Sequence, residues 1–173
     1  MEAVARQFAT DEHVMVIRNG WFSYRWTEIF DMGGPGKSIC ASHTVLKAQP
    51  VKCSTSNGGG DNNASLQNHD DGSIVQQYEP HPIDNVIEKV KLECPKVLFA
   101  PHVETSTGMI LPDEYIRKAA EAVHDVGGLF VLDCIASGAI WVSRVGLIAW
   151  AVLIFRVDSQ HITLALINEL YIG

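Results

Sequence analysis

The sequence predicts an α/β domain, a mostly parallel sheet covered by helices, and three observations lead there. Short apolar runs alternate with amphipathic helical stretches. The first apolar run closes in turn residues, and two of the helical stretches close in glycine. With 173 residues and 47% hydrophobic content, the chain has enough material for one core and too little for two comfortable ones.

VMVIRNG (Val14 to Gly20) reads as a short buried strand ending in Asn-Gly, and FSYRWTEIFDMG reads as a helix closed by Gly33. ICASHTVLKA (Ile39 to Ala48) is a second strand. Residues 51–79 are rich in Ser, Asn, Gly and Asp with little apolar periodicity, which predicts a flexible insertion at the surface. PIDNVIEKVKLE is a helix with Pro82 near its start and Ile83, Val86, Ile87 and Val90 on one face. KVLFAPH is a strand. LPDEYIRKAAEAVHDVGG is a helix with Ile116, Ala119, Ala120 and Val123 inward, stopped by Gly127 and Gly128; LFVLD is the next strand. Strands alternating with helices in this way form parallel, helix-covered sheets.

Charge and cysteine usage exclude several classes. Twenty acidic against thirteen basic side chains give a net charge of −7 with no basic stripe, which argues against nucleic acid as a partner. Cys40, Cys53, Cys94 and Cys134 are widely spaced without a CxxC pair, and the first residues lack a basic segment followed by an apolar core. A reducing compartment is expected, the cytoplasm first, with mitochondrion and peroxisome also compatible. The apolar run from Val145 to Phe155 has eleven residues, whereas a membrane span needs about 20, so no membrane association is expected.

In parallel sheets, ligands gather at the carboxyl ends of the strands. Here those ends carry Asn19 and Gly20, then His102 through Thr107, then Asp133, so three strand ends point to one rim. MGGPGKS is not a phosphate loop: the glycine required with four residues between it and the Gly36-Lys37 pair is replaced by Asp31, and the stretch follows a helix instead of opening one. His69, Asp70, Asp71 and His81 lack a metal-ligand spacing, so no metal is expected. Asp133 fits two roles, a cap for the next turn or a fixed anion for a protonated ring nitrogen or a metal. ETSTG is either a hydroxyl-rich turn or a polar cofactor contact. The rings of Trp21, Phe22, Tyr24 and Trp26 serve either as core or as a stacking surface for a planar ligand.

Taken together, HVETSTGMILP followed one helix later by GGLFVLDCIAS, with NGWFSYRW ahead of both, resembles class V, fold-type I pyridoxal-phosphate aminotransferases. The alanine–glyoxylate and serine–glyoxylate (serine–pyruvate) group is the most similar. The resemblance covers residues 1–142, interrupted by the insertion at 51–79, and implies part of the large domain of a PLP-dependent transferase. It implies that Asp133 pairs with the pyridine nitrogen of pyridoxal 5'-phosphate, keeping it protonated as an electron sink. It further implies that Phe22 stacks on one ring face, Ile135 packs on the other, Thr105 hydrogen-bonds the ring oxygen, and His102 supports the rim. The implied reaction moves an amino group between a small amino acid, such as alanine or serine, and a 2-oxo acid, such as glyoxylate or pyruvate. Family members are typically homodimers.

Three family features find no match. A transaminase needs a lysine to hold the cofactor as a Schiff base, a few tens of residues beyond the VLDCIAS-type strand, but the sequence contains no lysine after Asp133. The last one, Lys118, falls in the buried context of a helix ahead of Asp133. The phosphate-binding segment would fall before Met1, and the small domain with its carboxylate-binding arginine is also unmatched. No catalytic residue is therefore assigned, and these 173 residues are expected to be inactive alone. The alternative is a non-catalytic fragment or partner of a full-length aminotransferase subunit. Residues 143–173 show no family resemblance. Codons for Val142-Ser143 can resemble a splice donor, so a retained intron or shifted frame is the expected origin of this apolar tail; the alternative is a genuine amphipathic or buried helix. An incomplete parallel sheet also predicts an open edge and an aggregation-prone chain.

Overall fold

A computed structural model of the chain describes residues 1–33, 37–51, 66–68, 74–137, 152–158 and 161–167. Its main sheet has six strands. Four of them, β1 (His13–Arg18), β2 (Ser42–Lys47), β7 (Val97–Pro101) and β10 (Leu129–Asp133), are mutually parallel in the order β10-β7-β1-β2. Beyond β10 lie β11 (Val152–Asp158) and β12 (His161–Ile167), each antiparallel to its neighbour. Three short antiparallel ladders decorate the connections: β3 (Gln49–Pro50) with β6 (Tyr78–Glu79), β4 (Leu66–Asn68) with β5 (Ile74–Gln76), and β8 (Val103–Glu104) with β9 (Met109–Ile110). The α/β class expected from the sequence is the one found.

Alternation along each strand decides which helix lies on which face. Val14, Val16, Val97, Phe99 and Val131 point to the side covered by α1 (Glu2–Phe8) and α2 (Trp21–Asp31). Met15, Ile17, Leu98, Ala100, Phe130 and Leu132 point to the other, against α3 (Ile83–Glu93) and α4 (Asp113–Asp125). The strand β7 is buried along its whole length, as a central parallel strand must be, and so reads as an unbroken apolar run. Under α2, the Trp26 ring lies 4.5 Å from that of Phe99, with both side chains fully buried. The small residues Ala119, Ala120 and Ala122 bring α4 close to the sheet, while its solvent side carries Arg117 bonded to Glu114 and Glu121, each at 2.6 Å. The helix α4 gives way to a turn with Gly127 at φ 79°, a left-handed conformation that favours glycine.

The opposite, amino-terminal edge of the sheet is tied by a polar brace. His13 joins β1 to Ser42 of β2 (Nδ1 to Oγ, 2.7 Å) and to Glu93 at the end of α3 (Nε2 to Oε2, 3.1 Å), and Thr44 Oγ1 donates to the same carboxylate at 2.6 Å. The Thr44 hydrogen bond holds the Glu93 carboxyl below its ordinary range.

Several expectations are revised. The tail is not helical where it is described: β11 and β12 are strands, and β11 pairs with β10 from Phe130↔Phe155 to Asp133↔Val152. A strand-length apolar run cannot be told from a buried helix by periodicity alone, which is why the alternative failed. The outer edge of β10 is therefore covered, and the edges of the main sheet are β2 and β12. Lys118 is not buried; its side chain is 41% exposed and reaches Glu114 at 3.6 Å. Parts of the 51–79 insertion form the β4–β5 and β3–β6 ladders, while residues 52–65 and 69–73, including Cys53, His69, Asp70 and Asp71, lie outside the described residues. Among the described residues, Cys40, Cys94 and Cys134 are free thiols, and no helix is long and apolar enough to cross a membrane.

Candidate functional site

The chain enters the sheet at β1, moves outward to β2, then crosses back to place β7 on the other side of β1. That reversal makes the carboxyl ends of β1 and β7 the topological switch point, where open α/β sheets bind ligands. Asn19 and Gly20 leave β1 there, and the β8–β9 turn carrying residues 102–110 leaves β7 beside them.

What fastens the two ends together is Glu104, which is fully buried. The helix α2 begins at Gly20, which has no side chain to cap the exposed N–H groups of the first turn. Glu104 supplies the cap from across the rim: Oε1 accepts from Phe22 N–H (3.2 Å), and Oε2 accepts from Ser23 N–H (2.9 Å) and Ser23 Oγ–H (2.7 Å). Ser106 donates its hydroxyl to Oε1 at 2.5 Å and accepts from Trp21 N–H at 2.9 Å. Ser23 in turn accepts the N–H groups of Asn19 and Gly20 at 2.9 and 3.1 Å. Burial pushes the Glu104 carboxyl up, but the bonds from Ser106, Ser23 and Phe22 outweigh it and hold the group below its ordinary value. Sequence reading missed this role; its signal is a carboxylate among hydroxyls beside a helix start whose own cap position is glycine.

Gly20 is required here by space. A Cβ on it would fall 2.7 Å from Glu104 Cγ and 2.8 Å from Thr107 Cγ2, and would press on Ser106 Oγ. Gly20→Ala is expected to cost about 1–3 kcal/mol, the usual range for overpacking, read as a lower denaturation midpoint than wild type. An unchanged midpoint would show that the 104–107 turn yields freely.

The five residues singled out from sequence all lie along this rim. Asp133 ends β10, in register with Pro101 of β7, and is half-buried; Oδ1 accepts the Ile135 N–H at 3.1 Å. Burial raises its carboxyl above the ordinary value, against the Ile135 hydrogen bond, which lowers it. Phe22 is 51% and Ile135 68% exposed; other large apolar side chains such as Trp21 and Met32 are exposed as well, and both Phe22 and Ile135 are open to a ligand at the rim. Thr105 is exposed at the turn. His102 is buried: its N–H donates to Asp133 O at 2.9 Å and Nδ1 meets Ser137 Oγ at 2.8 Å. Burial depresses its imidazole, so it stays neutral near pH 7 and pins the 134–137 turn to β7. No cluster that could hold a metal ion occurs among the described residues.

The four parallel strands and their helices match an aminotransferase large domain in fold. Ureidoglycine–glyoxylate aminotransferase from Bacillus subtilis aligns with a TM-score of 0.50 at 23% identity, over 79% of this chain and 26% of its own. Alanine–glyoxylate aminotransferase from Nostoc sp. aligns with a TM-score of 0.48 at 18% identity, over 79% of this chain and 27% of its own. The chain thus spans about a quarter of the length of the solved proteins it matches. No protein-family model and no curated protein matches the sequence.

Proposed function

We propose that this chain is a segment of the large domain of a pyridoxal-phosphate-dependent class V aminotransferase, acting on small amino acids and 2-oxo acids. The observation that carries the reading is the rim itself: a half-buried carboxylate at the end of β10, with two exposed apolar side chains, Phe22 and Ile135, on elements that meet the same switch point. Burial holds the Asp133 carboxyl above its ordinary pKa despite the Ile135 hydrogen bond and the attraction of the amino terminus, and a protonated ring nitrogen is a partner that would relieve it. The residues present fit the ring of the cofactor. Asp133 would face its nitrogen, Phe22 and Ile135 its two faces, and Thr105 its oxygen substituent. When bound, pyridoxal phosphate supplies the electron sink that amino-group transfer requires.

The chain's own contribution is positional. Glu104 fixes the first turn of α2, and with it Phe22, against the β8–β9 turn that carries Thr105. His102 fixes the Cys134–Ser137 turn that carries Ile135. Proton transfer at the amino-acid carbon needs a base, and no lysine follows Lys118 in these 173 residues. The proposal is therefore cofactor recognition without turnover by this chain alone, and the family's homodimeric assembly is the context in which it would operate.

The test is an absorbance titration of the purified chain with pyridoxal phosphate, before and after borohydride reduction, followed by peptide mapping. A saturable spectral change with no adduct fixed on one specific lysine is expected. Folded protein that gives no spectral change refutes cofactor recognition; an adduct on a single lysine refutes the absence of a Schiff-base residue.

A further inference from the structure

Beside the rim, on the β1–β2 side, lies a cavity of about 620 Å³, within the range of small-molecule sites. Arg18 and Lys47 line it together with Asn19, Gln77, Tyr78 and Met109, and among the described residues no acidic side chain does. The two cations are register partners on adjacent strands. Neither has an ion-pair partner among the described residues; the Arg18 guanidinium lies 4.9 Å from the centre of the Tyr24 ring, which orients it and leaves its charge unneutralised.

The sheet relates this cavity to Asp133. Arg18 is paired with Lys47, Asp133 with Pro101, and Val16 with Phe99; carried two residues on, that last register sets Arg18 level with Pro101. Alternation puts Arg18, Pro101 and Asp133 on the α2 face, the side of Val16, Phe99 and Val131. At about 4.8 Å per strand, Arg18 stands about 10 Å along the rim from Asp133, and Lys47 about 14 Å.

We infer that the cavity binds a small organic dicarboxylate through Arg18 and Lys47. In the aminotransferase reading, on which the reaction but not the binding rests, this makes the preferred 2-oxo acid one with a second carboxylate. Two unneutralised cations in a partly enclosed space favour a dianion over a monoanion. The guanidinium supplies a planar fork for one carboxylate. Tyr78 and Met109 give an organic body something to pack on. A phosphate group is disfavoured, because the backbone N–H groups of the nearby α2 amino terminus are already taken by Glu104 and Ser106.

The experiment is isothermal titration of the full chain with 2-oxoglutarate, pyruvate and inorganic phosphate, repeated on Arg18→Gln, Lys47→Gln and the remote control Lys118→Gln. Expected is 2-oxoglutarate binding at least tenfold tighter than pyruvate or phosphate, weakened tenfold or more by each of the first two substitutions and untouched by the third. Lys47→Gln guards against misfolding, since its exposed side chain lies outside both core clusters. Equal binding of phosphate, binding indifferent to Arg18 and Lys47, or no binding to folded protein overturns the inference. Dicarboxylate binding by a chain that ignores pyridoxal phosphate would sink the aminotransferase reading while leaving this site standing.

Discussion

Glu104→Ala is expected to destabilise the chain by about 3–5 kcal/mol, a large part of the stability of an ordinary domain. The reason is the number of donors that converge on one carboxylate. Phe22 N–H, Ser23 N–H, and the hydroxyls of Ser23 and Ser106 all aim at Glu104, which is itself fully buried. Each stranded buried donor costs about 1–3 kcal/mol, and water admitted at the exposed Phe22 end recovers part of the sum. The carboxylate also faces the positive end of the α2 dipole, an interaction that alanine removes and glutamine keeps only as a neutral acceptor. Glu104→Gln should therefore fall between wild type and alanine. Urea denaturation of the three proteins checks the order; a Glu104→Ala midpoint within error of wild type would mean that the rim network is ornamental.

The same group sets an acid limit. Its folded-state pKa lies below the unfolded value of about 4.3. A depressed carboxyl contributes stability that is complete above the unfolded pKa and disappears as pH falls through the folded one. Wild type should lose stability steeply below about pH 4, and Glu104→Gln should lose it less steeply. Some slope will remain in the variant, because Glu93 is also held below its ordinary range, by Thr44.

Much of the fold was legible because it is written in local pattern. The all-apolar β7, the helix stop at Gly127-Gly128 and the paired positions Val86 and Val90 on α3 each needed only periodicity and turn chemistry. The rim followed from strand order. The short α1 escaped notice, since Val4 and Ala5 are buried only through packing against distant elements. The Glu104 cap escaped for a related reason: its partners Phe22 and Ser23 are more than eighty residues away in sequence, and nothing local in ETSTG announces them. The Arg18–Lys47 pair depends on the β1–β2 register, which an unaligned reading does not supply.

Asp133→Asn is expected to do two opposite things, and their combination is what separates a ligand-binding carboxylate from a structural one. The Asp133 carboxyl is raised by burial, so the folded chain holds its proton more tightly than the unfolded chain does. By linkage, stability falls as pH rises from the unfolded pKa of about 3.9 to the folded value, and at neutral pH the ionised group is a liability. Asparagine removes the charge and keeps an oxygen for the Ile135 N–H, so the free variant should be at least as stable as wild type. Its response to pyridoxal phosphate should collapse. Losing a charged hydrogen bond to the ring nitrogen is worth about 1.5–3 kcal/mol, or about 10- to 100-fold in affinity. Thermal unfolding of both proteins with and without the cofactor reads both effects at once: at a cofactor concentration just saturating for wild type, wild type should gain stability and the variant far less. A structural cap would show the reverse, a lower melting temperature for the free variant and an unchanged increment from the cofactor. That outcome would return Asp133 to the role of a turn residue and remove the ring-nitrogen partner from the proposed site.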